Sequence, residues 1–459
     1  MATAAPSTAS GKLTGYDLYR ALGSPKYVVA PMVDQSELAW RRLSRKYGAQ
    51  LVYTPMINAK LFVDSTNKTY RTAQFDIPSG EEGDSSDRPL IVQFCANDPE
   101  QLLASAEVVA PYCDAVDLNL GCPQDIARKG RYGSFLQDEW ELIYKLINTL
   151  HKNLSVPVTA KFRVFPTIEK TVEYAKMLES AGAQILTCHG RLREQRGQNT
   201  GVADWLKIRA VKQAVSVPVF ANGNILFQSD ILRCLEETGC DGVMSAEGNL
   251  YNPALFAGLP PTLSTPHPQP SSSSSSSDST TYPVLDPSHP AHPLHPEYMS
   301  DEAILRRHPR VADMALEYIR IVKALKTRTC VSAVKGHLFK ILRPALMREI
   351  DLRDALGRAR AGERPKPQKG SATVEGEEDE AVKNWLSDYI EICEDMKRRM
   401  EMDEKEHTKG GTVPLRELVK VDERGLEVYP WWLVQPYWRR LPPVVVKEGG
   451  KEKEGKKSQ

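Results

Sequence analysis

The chain has 459 residues and a formal net charge of +1 at pH 7, so any affinity for a polyanion must come from local basic patches. Its eight cysteines include no Cys-x-x-Cys pair, which argues against a disulfide scaffold and a zinc finger. No apolar run approaches the roughly 18 residues of a membrane span, and the N-terminus lacks the arginines of a transit peptide. We expect a protein of the cytoplasm or nucleus with no membrane segment and no metal.

The first 24 residues are rich in Ala, Ser and Thr, and we expect them to be disordered. Eight short β-type runs follow, separated by segments of helical pattern. They are residues 27–32, 51–55, 90–94, 115–119, 158–163, 185–189, 219–223 and 242–248. Strands that alternate with helices indicate βαβ units and a parallel sheet, and eight such units match the ~250 residues typical of a TIM barrel. The predicted fold class is α/β, with a (β/α)8 barrel over residues 25–257.

Nearly every run ends in a polar, Pro or Gly position, and a barrel places these endings on one face. The side chains expected to converge there are Met32, Gln93, Asn119, Cys122, Lys161, Arg163, His189, Asn222 and Glu247. Lys161 and Arg163 lie two residues apart and therefore on one side of their strand. They could form structural ion pairs with Asp117 or Glu247. The small turns at 222–224 and 246–248 stand where barrels commonly bind phosphate, which favours a phosphorylated cofactor.

The segment from Asp117 to Pro123 closes an apolar run with a tight Gly-Cys-Pro turn. It places the thiol of Cys122 at the C-terminal end of a strand, where barrel enzymes hold their reactive groups. A lone cysteine in such a turn is more often a small buried residue. The convergence of polar groups at the same face favours a functional role.

The motifs form an ordered series that resembles the tRNA-dihydrouridine synthases, which are FMN-containing TIM-barrel enzymes. The matching segments are 30–32, Gln93, 119–124 with 130–134, 161–163, 189–191, 221–225 and 246–250. The run 246–253 most resembles the eukaryotic branch that acts on positions 16 and 17 of the tRNA D-loop. One departure is Leu192, where the family often has Thr.

The resemblance implies FMN-dependent reduction of uridine to 5,6-dihydrouridine, with NADPH or NADH restoring the reduced flavin. It implies that Cys122 donates the proton to C5, because an ordinary thiol is mostly protonated at neutral pH. It places Asn119 and Arg163 against the substrate. The residues it assigns to the cofactor are Pro31, Met32, Val33, Gln93, Lys161, His189, Asn222, Gly223, Asn224, Ala246 and Glu247.

The chain beyond the barrel divides into three parts. Residues 258–299, rich in Pro, Ser and His, are expected to be a flexible linker. Residues 300–405 contain three amphipathic helical patterns, with a disordered insertion expected at 358–380, and resemble the small helical domain that binds tRNA in these synthases. Its basic residues are Lys323, Lys326, Arg328, Lys335, His337, Lys340 and Arg343. Residues 406–459 form an aromatic and basic extension, suited equally to base stacking or to packing on the barrel, and a disordered tail.

Two other classes of function stay open at this point. One is a barrel flavoenzyme that acts on a free pyrimidine, as in dihydroorotate oxidation, for which a basic helical domain would be unnecessary. The other is an RNA-binding flavoprotein whose catalysis is incidental. The expected assembly state is a monomer, with tRNA and NAD(P)H as partners.

Overall fold

The computed structural model describes residues 12–197, 200–261, 299–362, 385–422 and 426–437. The strands of its main sheet are β1 Tyr27–Val29, β2 Leu51–Tyr53, β3 Ile57–Asn58, β4 Leu90–Cys95, β5 Ala115–Leu120, β6 Val158–Arg163, β7 Leu186–His189, β8 Val219–Asn222 and β9 Gly242–Ser245. All neighbours pair in parallel, and β2 pairs with both β1 and β4, so the sheet closes on itself. The short β3 extends the edge of β4. The predicted TIM barrel is confirmed.

Helices surround the barrel, and most of them pack buried apolar side chains against it. In the first 261 residues they are α1 Gly15–Ala21, α2 Leu38–Lys46, α3 Ala59–Val63, α4 Lys68–Gln74, α5 Pro99–Val109, α6 Asp125–Gly130, α7 Trp140–Asn153, α8 Ile168–Ser180, α9 Trp205–Ala214, α10 Gln228–Thr238 and α11 Glu247–Tyr251. The strand register aligns Asn119 with Lys161 and Arg163 with His189. Polar residues at the ends of different strands therefore meet at one level of the barrel.

The expectation of disorder through residue 24 is wrong for residues 12–24. Helix α1 lies within this stretch, and its Leu18 and Tyr19 are buried. They pack with Val28, Ile185 and other inward-facing strand residues, so α1 fills the end of the barrel where the strands begin. The physical reason is that a short helix without a long periodic pattern gains its stability from tertiary packing.

A helical domain follows the barrel and contains the three predicted helices. Its helices are α12 Asp301–Arg307, α13 Val311–Ala324, α14 Val331–Ile341, α15 Arg343–Leu346, α16 Ile350–Arg358 and α17 Ser387–His407. Helix α13 packs against both α17 and α2, which joins the domain to the barrel. Residues 262–298 of the predicted linker and 363–380 of the predicted insertion lie outside the described residues.

A polar cluster forms one of the contacts between the barrel and the helical domain. Glu37 accepts hydrogen bonds from the Tyr318 hydroxyl, at 2.7 Å, and pairs with His337 Nε2 at 3.0 Å. The His337 ring stacks on Trp40 with a centroid separation of 3.9 Å. His337 is fully buried. The charge pattern suggested that His337 belongs to a basic RNA-binding surface. The structure places it in this interface instead.

The C-terminal extension packs back onto the helical domain over much of its described length. Tyr429 stacks on His308, and the backbone N–H of Val311 donates to the Trp432 carbonyl. Both aromatic side chains are buried. Tyr437 is different because it reaches the mouth of the barrel. No described helix is long and apolar enough to cross a membrane.

Candidate active site

One cavity of about 1030 Å³ opens at the C-terminal ends of the strands. Every residue that the sequence assigned to the site lines it. They are Pro31, Met32, Val33, Gln93, Asn119, Cys122, Lys161, Arg163, His189, Asn222, Gly223, Asn224, Ala246 and Glu247. The volume is large enough for a cofactor and part of a substrate, since pockets of about 300–1,000 Å³ hold drug-sized ligands.

The Cys122 turn is held by backbone hydrogen bonds. Asn119 Oδ1 accepts from the N–H groups of Gly121, at 3.2 Å, and Cys122, at 2.9 Å. On the other side, Ser134 N and Oγ both donate to the Cys122 carbonyl. Gly133 has φ +65°, and a Cβ there would come within 2.8 Å of that carbonyl. The thiol is therefore presented to the cavity by a backbone with little freedom to move.

A chain of buried hydrogen bonds supports Asn119 from below. Asn119 Nδ2 donates to Gln93 Oε1 at 2.9 Å, and Gln93 Nε2 donates to Asp117 Oδ2 at 2.8 Å. Thr159 Oγ1 completes the chain by donating to the other oxygen of Asp117, at 2.6 Å. Burial raises the pKa of Asp117 to about 6. The sequence also allowed a salt bridge from Asp117 to Lys161 or Arg163. Among the described residues, Asp117 forms neither.

The environment of Cys122 favours the neutral thiol. Burial raises its pKa above the ordinary value, and the opposing contributions of a backbone hydrogen bond, Arg163 and Lys161 are smaller. A thiol with a raised pKa is protonated at neutral pH and can act as a general acid, whereas a nucleophilic cysteine needs a lowered pKa. The surroundings therefore keep the thiol in the protonated form that a general acid requires.

Lys161 supplies the main free cation at the bottom of the cavity. Among the described residues its ammonium group has neither a salt bridge nor a hydrogen-bond acceptor within reach. Burial, and then the neighbouring Arg163, lower its pKa to about 8. A desolvated cation without an anionic partner costs free energy, and a bound anionic or electron-rich group would recover it.

The resemblance places Arg163 against the substrate, but its guanidinium group also forms hydrogen bonds with the backbone of the cavity wall. Its Nε donates to the Gly121 carbonyl at 2.8 Å, and its Nη1 donates to the carbonyls of Leu192 and Gln195. Because these bonds join the Cys122 turn to the loop after β7, Arg163 fixes one wall of the cavity. Burial and the nearby Arg191 lower its pKa to about 10.

His189 lies in a ring of cations and is neutral. Burial, followed by Arg163, Lys161 and Arg191, holds its pKa well below the ordinary value. Arg191 Nη1 lies 3.1 Å from His189 Nε2 and can only donate, so the histidine proton must be on Nδ1. Arg191 Nη2 also donates to Asn224 Oδ1 at 2.8 Å. Gly223, with φ +113°, leaves no room for a Cβ, which would meet Ala203 at 2.7 Å and His189 at 3.1 Å.

Sequence reasoning missed several residues of the cavity wall. Arg191 was recognised only as part of a motif, although it orients both His189 and Asn224. Lys340 comes from α14, and its Nζ donates to Gln35 Oε1 at 2.6 Å. Tyr437 comes from the C-terminal extension and stacks against Arg343, whose Cζ lies 3.7 Å from the ring centroid. Lys340 and Tyr437 could be recognised as cavity residues only from the tertiary structure, because both lie far from the barrel in the sequence.

The model of the family described as "Dihydrouridine synthase (Dus)" matches residues 28–281, more than half of the chain. This chain belongs to the dihydrouridine synthase family. The match runs from the second residue of β1 through β9, which confirms the resemblance inferred from the motifs.

Relatives from two branches of the family align over different lengths. The tRNA-dihydrouridine(16/17) synthase of Saccharomyces cerevisiae is 45% identical over 435 residues, which cover 93% of this chain and 87% of the relative. A rat protein named as like the 16/17 synthase is 43% identical over 443 residues, 96% of this chain and 80% of the relative. A human protein named as like the 20a/20b synthase is 39% identical over 238 residues, only 51% of this chain and 72% of the relative. The similarity to the 16/17 branch therefore extends through the helical domain.

Proposed function

We propose that this chain is an FMN-dependent tRNA-dihydrouridine synthase that reduces uridines at positions 16 and 17 of the D-loop with NAD(P)H as reductant. The observation that carries the proposal is the position of Cys122, a protonated thiol held at the mouth of the family's barrel beside a cavity of cofactor size. The choice of positions rests on relatives of the 16/17 branch, which align with the helical domain as well as the barrel.

The cavity residues fit FMN. Pro31 and Met32 offer an apolar wall for a flat ring system, and Lys161 offers a cation for the edge of the ring that carries negative charge after reduction. The other end of the cavity is lined by the neutral His189 and by the glycine turn at Gly223, a small turn suited to a phosphate. When bound, the flavin would supply a hydride for C6 of the uracil. The protein's own residues would orient the flavin and the uracil and protonate C5 of the uracil.

Cys122 performs the proton transfer in this proposal. The thiol proton goes to C5 of the uracil, which leaves a thiolate that regains its proton from solvent. Lys161 and Arg163 lie near enough to lower the cost of that thiolate, since both favour the charged form of Cys122. The hydrogen bonds that the backbone N–H groups of Gly121 and Cys122 donate to Asn119 keep the turn in place while the base occupies the cavity.

The helical domain explains how a folded RNA is presented to this site. A uridine in a loop must leave its stack to enter the cavity, at a cost of a few kcal/mol. Lys340 and Tyr437 reach the cavity from outside the barrel, and Arg343 packs against Tyr437. Cations and an aromatic ring at the mouth are suited to phosphates and to a stacked base. A free pyrimidine would need no such surface.

The decisive experiment uses the purified full-length chain. Its visible absorbance is recorded for flavin, and the protein is then incubated with NADPH and unmodified tRNA while dihydrouridine is mapped at each position. We expect bound flavin and product at positions 16 and 17. A protein that binds flavin and oxidises NADPH but leaves every tRNA uridine unreduced would support the free-pyrimidine enzyme instead. Product at other positions would contradict the assignment to the 16/17 branch alone.

A further inference from the structure

A second cavity lies beside the active-site cavity, on the far side of the Cys122 turn. Its volume is about 360 Å³, within the range of pockets that hold small ligands. It is formed by the start of α3, the loop after β4 and the end of α6. Its lining residues are Asn58, Lys60, Cys95, Ala96, Asn97, Gln101, Lys129, Gly130, Arg131 and Tyr132.

The lining has the chemistry of a nucleotide site. It contains three cations, three side-chain amides and a phenol, and no carboxylate. Arg131 pairs with Glu139 at 3.2 Å, outside the lining. Lys60 and Lys129 form no salt bridge with any residue in the described parts of the chain, so their charges are available to an anion. Cations of this kind contact phosphates, while amides hydrogen-bond the edges of bases.

The wall between the two cavities is a single layer of side chains. Cys95 and Tyr132 line the second cavity, and both belong to a small apolar cluster against which Met56 and Cys122 pack. Met56 and Cys122 in turn line the active-site cavity. A ligand in the second cavity would therefore lie one side chain away from the thiol that protonates the uracil.

We propose that the second cavity binds the nucleotide of the RNA that immediately adjoins the target uridine. This inference rests on the proposed function, since it requires a uridine of an RNA chain in the active-site cavity. A uridine turned out of its stack stays joined to its neighbours through phosphates, so a neighbour must pass over the rim beside Cys122. The second cavity offers that neighbour both phosphate and base contacts. It would thereby help to select which uridine enters.

The first test fills the cavity without changing its charge. Gln101 lies on α5 and makes no side-chain hydrogen bond with the described residues, so Gln101→Trp should occupy the space without disturbing the fold. Gln213→Trp, at an exposed position near the end of α9, is the matched control. We expect Gln101→Trp to raise the KM for tRNA by about 5- to 150-fold, the range for the loss of one stacked base. The control should equal the parent.

The cofactor readouts separate the possible failures. Flavin content and the KM for NADPH should be the same in both variants and the parent. A raised KM for NADPH with an unchanged KM for tRNA would show that the cavity binds the dinucleotide, and would overturn the proposal. An unchanged KM for both would overturn it as well. If the parent itself makes no dihydrouridine, the proposed function has failed, and the crosslinking test below decides whether RNA reaches this cavity.

The second test detects the nucleotide directly. A tRNA that carries 4-thiouridine next to the target position is irradiated in complex with the full-length protein, and the crosslinked peptide is identified by mass spectrometry. We expect the adduct within residues 129–132 or at Lys60. Adducts confined to the helical domain would contradict the proposal, whatever the enzyme's activity. The variant Lys60→Ala/Lys129→Ala should lower the salt slope of tRNA binding by roughly 1 per lost phosphate contact, unlike the exposed Lys152→Ala.

Discussion

At the scale of single residues, the acid role of Cys122 has a direct test. Cys122→Ala removes a thiol that lines the cavity, so dihydrouridine formation should fall by about 10²- to 10⁴-fold, the usual contribution of a positioned general acid. Flavin content and tRNA affinity should not change, because the thiol is not needed for either. Single-turnover reaction of the reduced enzyme with tRNA measures the chemical step. A loss of affinity with an unchanged rate would contradict the role.

The pH dependence of the same step follows from the raised pKa of Cys122. A thiol donates its proton only while protonated, so activity is lost as the pH rises through that pKa. Because burial holds the pKa above the ordinary 9.0, the single-turnover rate should be maintained up to about that pH and decline only above it. A decline centred well below pH 9 would mean that the thiol is activated as a thiolate, and would contradict a general-acid role.

Asn119 is a positioning residue whose amide oxygen holds the Cys122 turn. Asn119→Ala leaves two backbone N–H groups without their acceptor and breaks the bond to Gln93. We expect the single-turnover rate to fall by roughly 10- to 100-fold, since a displacement of the acid by about 1 Å has such an effect. Asn119→Asp keeps the acceptor and should recover part of the rate, and Asn153→Ala, an exposed position on α7, should have none of these effects. Equal rates for Asn119→Ala and the parent would show that the Cys122 turn keeps its conformation without the hydrogen bonds to Asn119.

Most residues of the site could be predicted because they lie in or just after the C-terminal halves of β-type runs, and parallel strands bring these ends together. Cys122, Lys161 and His189 are of this kind. What could not be predicted was how each side chain is used. Arg163 turned out to bond backbone carbonyls, which depends on the path of two loops that no local pattern specifies.

At the scale of elements, strands and long helices were predictable because each has a repeating apolar pattern. Helix α1 was not, since its seven residues contain too few apolar positions to form a period. The position of α1 depends on its tertiary contacts with the end of the barrel where the strands begin. Tyr16 and Tyr19 donate hydrogen bonds to Asp241, just before β9, while Leu18 enters the base of the barrel. The amino-acid composition of the N-terminus suggested disorder, because composition carries no information about the tertiary contacts that stabilise α1.

The contribution of α1 to stability can be measured with two leucines. Leu18 is 1% exposed, whereas Leu13, just before the helix, is 44% exposed. Leu18→Ala should lower the free energy of unfolding by about 2–5 kcal/mol, the range for a buried leucine, and Leu13→Ala by much less. Urea unfolding followed by far-UV circular dichroism gives both values. Equal effects of the two variants would mean that α1 does not stabilise the base of the barrel.

At the scale of the whole molecule, the site is shared between two parts that are far apart in the sequence. Lys340 and Tyr437 complete the wall of a cavity whose other residues come from the barrel. The sequence predicted both a barrel and a basic helical domain, but it could not place one on the other. That placement depends on contacts such as Glu37 with His337, which are 300 residues apart.

This interface should weaken in acid because of Glu37. Burial raises the pKa of Glu37, but His337 and the Tyr318 hydroxyl lower it more, so the net pKa lies below the ordinary 4.5. A carboxyl with a lowered pKa contributes stability that is present above the unfolded value and is lost as the pH falls through the folded value. Glu37→Gln should therefore be less stable than the parent at pH 6, and the difference should shrink below pH 4.5. Asp34→Asn, an exposed neighbour, serves as the control in urea unfolding across this range. A difference that stays constant with pH would show that Glu37 acts by packing alone, and that its charge does not hold the helical domain over the mouth of the barrel.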